Sequence, residues 1–318
     1  MKRFGKLGLL ILLVLSASGS YLRMQMTSRY VLEECLSIGS LDDDLIYQWV
    51  GIATDNQGAV YLTDALDCSL KKFDSQGTLL VRSGRRGQGP GEFLAPRLVE
   101  KFGNRIYVTD QYIPGIHVFG KDLVFSHRIP VLFPVVSFKV LEKNRIAAVI
   151  LKMGGSRNIL ILNENGGVEE EIVYTDDGNS LMMNMIDFEI DEKGNFYIVY
   201  IFQDRIEKMS PQGVKLWSKS ILHNRKVKKK KVASFVLPTE VVFKDIALDS
   251  MGRIYILGGH FSKNRSRDIY VLDGSGEIVS LMTLPDSSHC IHIDDRDFLY
   301  ARANDGVSLK KYSMRYEK

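Results

Sequence analysis

GIATDNQGAVYLTD, residues 51–64, sets an apolar strand, an Asp-x-x-Gly turn and a strand running Val-Tyr-Leu-Thr-Asp one after another. Asp at the first turn position and Gly at the fourth close a hairpin, because the carboxylate bonds the turn backbone and glycine accepts positive φ. Working outward, the pattern returns as LVEKFGNRIYVTD (98–110), IDFEIDEKGNFYIVY (186–200) and IALDSMGRIYILGG (246–259). Weaker copies are FKVLEKNRIAAVIL (138–151) and IHIDDRDFLYARA (291–303). Their equivalent positions, Tyr61, Tyr107, Ala147, Tyr197, Tyr255 and Tyr300, are 46, 40, 50, 58 and 45 residues apart.

Second hairpins follow several copies, as in SLKKFDSQGTLLV (69–81), RIEKMSPQGVKLW (205–217) and DIYVLDGSGEIVSLM (268–282). Each unit then holds four antiparallel strands, which cannot bury both faces alone; stacking such units radially can. The fold expected is all-β, a six-bladed β-propeller with blades near 49–83, 95–131, 136–174, 185–221, 242–284 and 288–318. The last copy lacks an outer strand, and the strand-like YVLEECLSI (30–38) is expected to supply it and close the ring, leaving no open edge at the seam.

The 318 residues are 45% hydrophobic and 25% charged, with 27 glycines and 8 prolines, which excludes disordered, collagen-like and multi-span membrane chains. Residues 1–20 have a basic start (Lys2, Arg3, Lys6), an apolar stretch from Leu7 to Leu15 and a run of small residues. That layout reads as a signal peptide, with an uncleaved anchor and a buried N-terminal helix as rivals. Residues 21–318 would then form one domain, extracytoplasmic (periplasmic or secreted), free or tethered by the uncleaved segment. No cysteine follows the apolar stretch to carry a lipid. Nothing calls for self-association, so a monomer is expected.

The net charge of +4 is local in origin. Removing the three basic residues of the first twenty and the six of Arg225–Lys231 leaves 33 basic against 38 acidic side chains, a net of −5. This is no spread-out nucleic-acid footprint. The run reads as a solvated loop insertion, or as a contact for an anionic surface such as a membrane, a glycan or an acidic partner. Cys35, Cys68 and Cys290 allow at most one internal pair, and three reduced, partly buried thiols are the simpler reading.

One segment points to a family. RSGRRGQGPGEFLAPR (82–97) resembles the inter-blade linker of NHL-repeat propellers, G-x-x-G-x-G-P-G-x-F-x-x-P, through Gly84, Gly87, Gly89, Pro90, Gly91, Phe93 and Pro96. Phe93 could wedge between neighbouring sheets. With its export-like start, the chain looks similar to exported bacterial six-bladed propeller proteins. The resemblance implies a site where loops between second and third strands surround the channel mouth. Polar groups there are Asp64, Asp67, Asp110, Tyr112, Lys152, Gln203, Asp204, His260, Asn264 and Asn304, with Arg97 beside an inner strand. Asp64 and Asp110 more often cap a loop by bonding its backbone amides, and that structural role is expected of both.

Zinc lyases in the family need converging histidines; of His117, His127, His223, His260, His289 and His292, only His260 belongs to the loop set. Lactonase-like propellers hold a divalent ion at the channel, a set that Asp64, Asp110 and Asn304 could imitate. No G-x-S-x-G elbow occurs, and the glycine-rich stretch leads into a strand rather than a helix. The expectation is a non-enzymatic propeller binding a peptide, glycan or protein partner at the channel mouth, without nucleic acid and without a required cofactor. A metal-dependent hydrolase or lyase with a divalent ion in the central channel is the alternative.

Overall fold

The computed structural model describes residues 29–151, 158–174, 182–232 and 235–317. In chain order, β1 (Arg29–Ile38) precedes blade 1, made of β2 (Trp49–Thr54), β3 (Val60–Asp64), β4 (Ser69–Phe73) and β5 (Leu79–Ser83). Blade 2 has β6 (Pro96–Phe102), β7 (Arg105–Asp110), β8 (Ile116–Gly120) and β9 (Phe125–Ile129). Blade 3 has β10 (Val135–Val140), β11 (Ile146–Ile150), β12 (Asn158–Leu162) and β13 (Val168–Val173). Blade 4 has β14 (Ile186–Ile190), β15 (Phe196–Tyr200), β16 (Ile206–Met209) and β17 (Lys215–Lys219). A hairpin, β18 (Lys229–Val232) with β19 (Phe235–Pro238), leads to blade 5: β20 (Phe243–Leu248), β21 (Ile254–Gly258), β22 (Asp268–Leu272) and β23 (Ile278–Thr283). Blade 6 has β24 (Ile291–Ile293), β25 (Leu299–Arg302) and β26 (Leu309–Glu317).

Blades 1 to 5 are antiparallel meanders, and β1 completes blade 6 in the order β1-β26-β25-β24. The closing ladder runs from Arg29↔Glu317 to Ile38↔Leu309 with one bulge between Glu34 and Leu36. The expected seam is therefore present. Six apolar clusters sit one between each pair of neighbours, and the last joins Trp49, Leu62 and Phe73 of blade 1 to Ile38, Tyr300 and Leu309 of blade 6.

The repeated turn explains why the blades recur. Asp55 Oδ1 accepts from the amides of Gln57 and Ala59, its Oδ2 accepts from the Tyr61 hydroxyl at 3.2 Å, and Gly58 takes φ +83°. The same tyrosine-to-aspartate bond joins Tyr197 to Asp191, Tyr255 to Asp249 and Tyr300 to Asp294, at 3.1, 3.0 and 2.9 Å. One carboxylate thus shapes the turn and supplies the partner a buried tyrosine needs.

The 82–97 linker works as its glycines imply. Phe93 is fully buried between Cys68 and Leu70 of blade 1 and Val99 and Phe119 of blade 2. A Cβ on Gly84, whose φ is +94°, would stand 2.7 Å from the Phe93 ring. Glu92 ties the loop together through Arg85 Nε at 2.7 Å and the Gly89 amide at 2.9 Å.

Candidate functional site

Antiparallel connectivity gives the ring two unlike ends. One carries the turns between second and third strands and the inter-blade linkers; the other carries the remaining hairpin turns. The nominated residues belong to the first end, where the structure gives them different tasks. Asp64 is fully buried, accepting from the Tyr47, Gln48 and Asp67 amides at 2.8, 3.0 and 3.2 Å and pairing with Lys71 Nζ at 2.8 Å. Asp110 accepts from four amides, those of Leu94, Ala95, Tyr112 and Ile113, at 2.8 to 3.0 Å. Both carboxylates organise their loops.

Asp67 is turned to Arg82 and Lys71, at 2.7 and 3.0 Å; the Arg82 hydrogen bonds hold its carboxyl well below the usual range. Arg97 is exposed, and its carbonyl accepts from the Thr63 hydroxyl. Tyr112 is 65% exposed. His260, also exposed, accepts from the Val241 amide at Nδ1, 2.8 Å away. Asn264 bonds Asp268, and Asn304 accepts from Ser287 at 2.9 Å. Lys152 lies outside the described residues.

Gln203 is the nominee drawn into a cavity. It donates from Nε2 to the Met183 carbonyl and Asn184 Oδ1, and it lines a cleft of about 670 Å³ formed by the β15–β16 turn and the linker after β17. Asp204 builds that cleft by accepting from Ser220 Oγ and the amides of Ile221, Leu222 and Arg225. Arg205, Lys219, Arg225, Lys226 and Lys229 also line it. Arg205 pairs with Glu207, and Lys219 with Glu277. Among the described residues, Arg225, Lys226 and Lys229 form no ion pair.

The basic run presents its cations to solvent and carries one buried residue. Val227 is buried among Met183, Tyr197, Val242 and Phe243, and Arg225 lies over the Phe261 ring at 5.9 Å. The following lysines run into the β18–β19 hairpin, with Lys229 opposite Pro238. A single apolar residue within the run anchors its backbone, while the six cations around it are exposed. Reading charge alone missed Val227 as the anchor.

The lumen holds a second polar constellation absent from the nominees. Inner-strand residues facing it include Glu100, Ser137, Lys139, Asp187, Glu189, Asp245 and His292, around a narrow cavity of about 100 Å³. Lys139 Nζ lies 2.7 Å from Glu100 Oε1 and 2.6 Å from Glu189 Oε1, joining blades 2, 3 and 4. Ser137 Oγ donates to Asp187 at 2.7 Å, and Asp245 accepts from the Ile291 amide at 2.7 Å. Thr54 and His292 bond at 2.8 Å across the seam between blades 1 and 6. Burial and the neighbouring Asp187 push the Asp245 carboxyl well up, burial raises Glu189 to about 7, and burial lowers His292 to about 4.

The signal for these groups was alternation of charge on strands taken as inner, SFK at 137–139 and DFE at 187–189. It resembles the alternation of a solvent face. Among the described residues no three His, Cys, Asp or Glu side chains are grouped to hold a metal ion. The three cysteines are all free thiols. No helix among the described residues is long and apolar enough to cross a membrane.

No known family profile and no curated protein sequence matches the chain. Solved structures do. A protein of unknown function from Bacteroides thetaiotaomicron is 16% identical with a TM-score of 0.61, over 91% of this chain and 76% of that one. A putative exported protein from Bacteroides fragilis is 12% identical with a TM-score of 0.59, over 91% and 96%. Virginiamycin B lyase from Staphylococcus aureus is 10% identical with a TM-score of 0.57, over 90% and 99%. At these identities what is shared is the propeller fold.

Proposed function

We propose that this chain is an exported, non-enzymatic propeller of NHL-like type that captures an acidic peptide or protein segment at the end bearing the linkers. The carrying observation is the 670 Å³ cleft: five cationic side chains line it, while its carboxylate, Asp204, is engaged by its own loop. The site lies over blade 4 and its linker, off the channel axis. Arg205 and Lys219 are already paired, and the three exposed cations without an ion pair, Arg225, Lys226 and Lys229, favour an anionic partner chiefly through approach rate and register. The apolar start of the chain and the export-related structural neighbour support an extracytoplasmic setting. The metal-dependent alternative has no grouped donors among the described residues to support it.

Fluorescence anisotropy with a labelled glutamate-rich decapeptide tests the proposal. Binding should weaken steeply with salt and fall at least about tenfold in an Arg225→Glu, Lys226→Glu, Lys229→Glu variant, while Tyr112→Ala binds as the wild type does. Equal binding by the charge-reversed variant would refute the site. Heparin oligosaccharides and phosphatidylglycerol vesicles serve as competing probes, and tighter binding to either would overturn the choice of partner.

A further inference from the structure

At the opposite end of the ring, blades 2, 3 and 4 enclose a larger cavity of about 900 Å³. Its wall mixes apolar side chains, Phe102, Leu141 and Ile190 among them, with charged ones such as Glu142, Arg145, Glu170, Glu192 and Lys193. Glu100 and Lys139 form its inner boundary and also line the lumen, so the cavity opens onto the charged cluster of the channel. Its volume lies within the range of about 300–1,000 Å³ typical of small-molecule sites.

Charge on that boundary is unbalanced. The Lys139 ammonium is divided between the Glu100 and Glu189 carboxylates. Each of the three side chains keeps about a fifth to a quarter of its surface open, 22% for Lys139, 26% for Glu100 and 21% for Glu189. Deeper in the lumen, Asp187 and Asp245 add two carboxyls that form no ion pair among the described residues. A carboxylate short of a counter-charge in such surroundings takes up a proton more readily, and burial raises the Glu100, Glu189 and Asp245 carboxyls, Glu189 to about 7. Elsewhere on the wall Arg145 pairs with Glu170 at 3.3 Å and Asp191 is taken up by its own turn and the Tyr197 hydroxyl, while Glu142, Glu192 and Lys193 stand at the rim.

We propose that this cavity binds a small primary ammonium ion carried on an apolar stem, its head on Glu100 and its stem against Phe102, Leu141 and Ile190. The bound head lets Lys139 serve Glu189 alone. Glu189, whose neighbours are Glu100, Lys139 and Asp187, then ionises and releases a proton. An ammonium is the fitting head because the site already accommodates one, that of Lys139, between two carboxylates. The half-buried Phe102, Leu141 and Ile190 offer an apolar strip that favours an alkyl stem over a bare ion.

Calorimetry on the full chain with n-hexylammonium, hexanol and hexanoate provides the test. Hexylammonium should bind at least about tenfold more tightly than either analogue, and Glu100→Gln should lose at least about tenfold. Lys139→Met, which leaves both carboxylates without an internal cation, should bind hexylammonium at least about tenfold more tightly. Near neutral pH, the heat in two buffers of different ionisation enthalpy should report proton release, a readout that stands if Lys139→Met does not fold. Equal binding of hexanol, unchanged binding in Glu100→Gln, no gain in a folded Lys139→Met, or no proton release would each overturn the proposal. The Arg225, Lys226 and Lys229 reversals should leave this binding unchanged, which separates it from the cleft at the other end.

Discussion

Replacing His117 with leucine perturbs a buried imidazole that is left without polar company. The ring lies 5.2 Å from Phe93 and 6.0 Å from Phe125 by centroid, and neither nitrogen has a hydrogen-bond partner. Burial first, then the charge of Arg128, lowers its pKa from 6.5 to about 4, against a smaller opposing pull from Asp110. Between those values the unfolded chain binds a proton that the folded chain does not. Stability contributed by the neutral ring is therefore present above the unfolded pKa and lost as pH falls toward the folded one. Integrating that difference from about pH 7 to about pH 4.5 gives a loss of about 2.4 kcal/mol attributable to His117.

The whole-protein curve hides this, because Glu189, raised to about 7, acts with the opposite sign and gains stability over the same interval. The informative quantity is the difference between variant and wild type. Urea unfolding at both pH values should show His117→Leu gaining about 2 kcal/mol relative to wild type on moving to the acidic condition. A difference that stays constant between the two conditions would refute the assignment of an unprotonated, orphaned ring.

Three further outcomes follow from the same contacts. Tyr255→Phe removes the donor to Asp249 inside a blade and should cost about 1–3 kcal/mol by denaturant unfolding, whereas Tyr112→Ala on the exposed loop should stay within about 0.5 kcal/mol. Gly84→Ala sets a methyl against the Phe93 ring at a positive φ and should cost about 1–3 kcal/mol, read as a lowered melting temperature. With a thiol-reactive dye, exposed Cys35 should label quickly in the native protein, while buried Cys68 and lumen-facing Cys290, whose thiol burial raises strongly, should label only slowly until denaturant is added.

The ring was legible because each blade repeats a local device. An aspartate at a turn and a tyrosine six residues later are close in the chain, so Asp55 with Tyr61 and Asp249 with Tyr255 can be read directly. The closing strand was legible by elimination, since the final copy ended one strand short. The lumen was not, because Lys139, Asp187 and Asp245 meet only after blades 3, 4 and 5 are placed side by side, and an alternating strand looks alike whether it faces a channel or bulk water. Nor could the chain alone say that Asp64 and Asp110 turn both carboxylate oxygens inward, a matter of loop geometry. Val227 hid inside a run whose charge drew the eye.

The seam between β1 and β26 ties together distant parts of the chain, Glu34 to Lys310 across 276 positions among them. On a ribosome or a translocation channel, the first strand of the ring must wait for its last, so the ring stays open until β26 has been made. The antiparallel ladder also places Arg29 beside Glu317, so the start of β1 and the end of β26 lie at the same edge. Tension between the two ends would peel this clasp one pair at a time instead of shearing all its bonds together. The propeller should accordingly yield first at its seam, before any of its other blades opens.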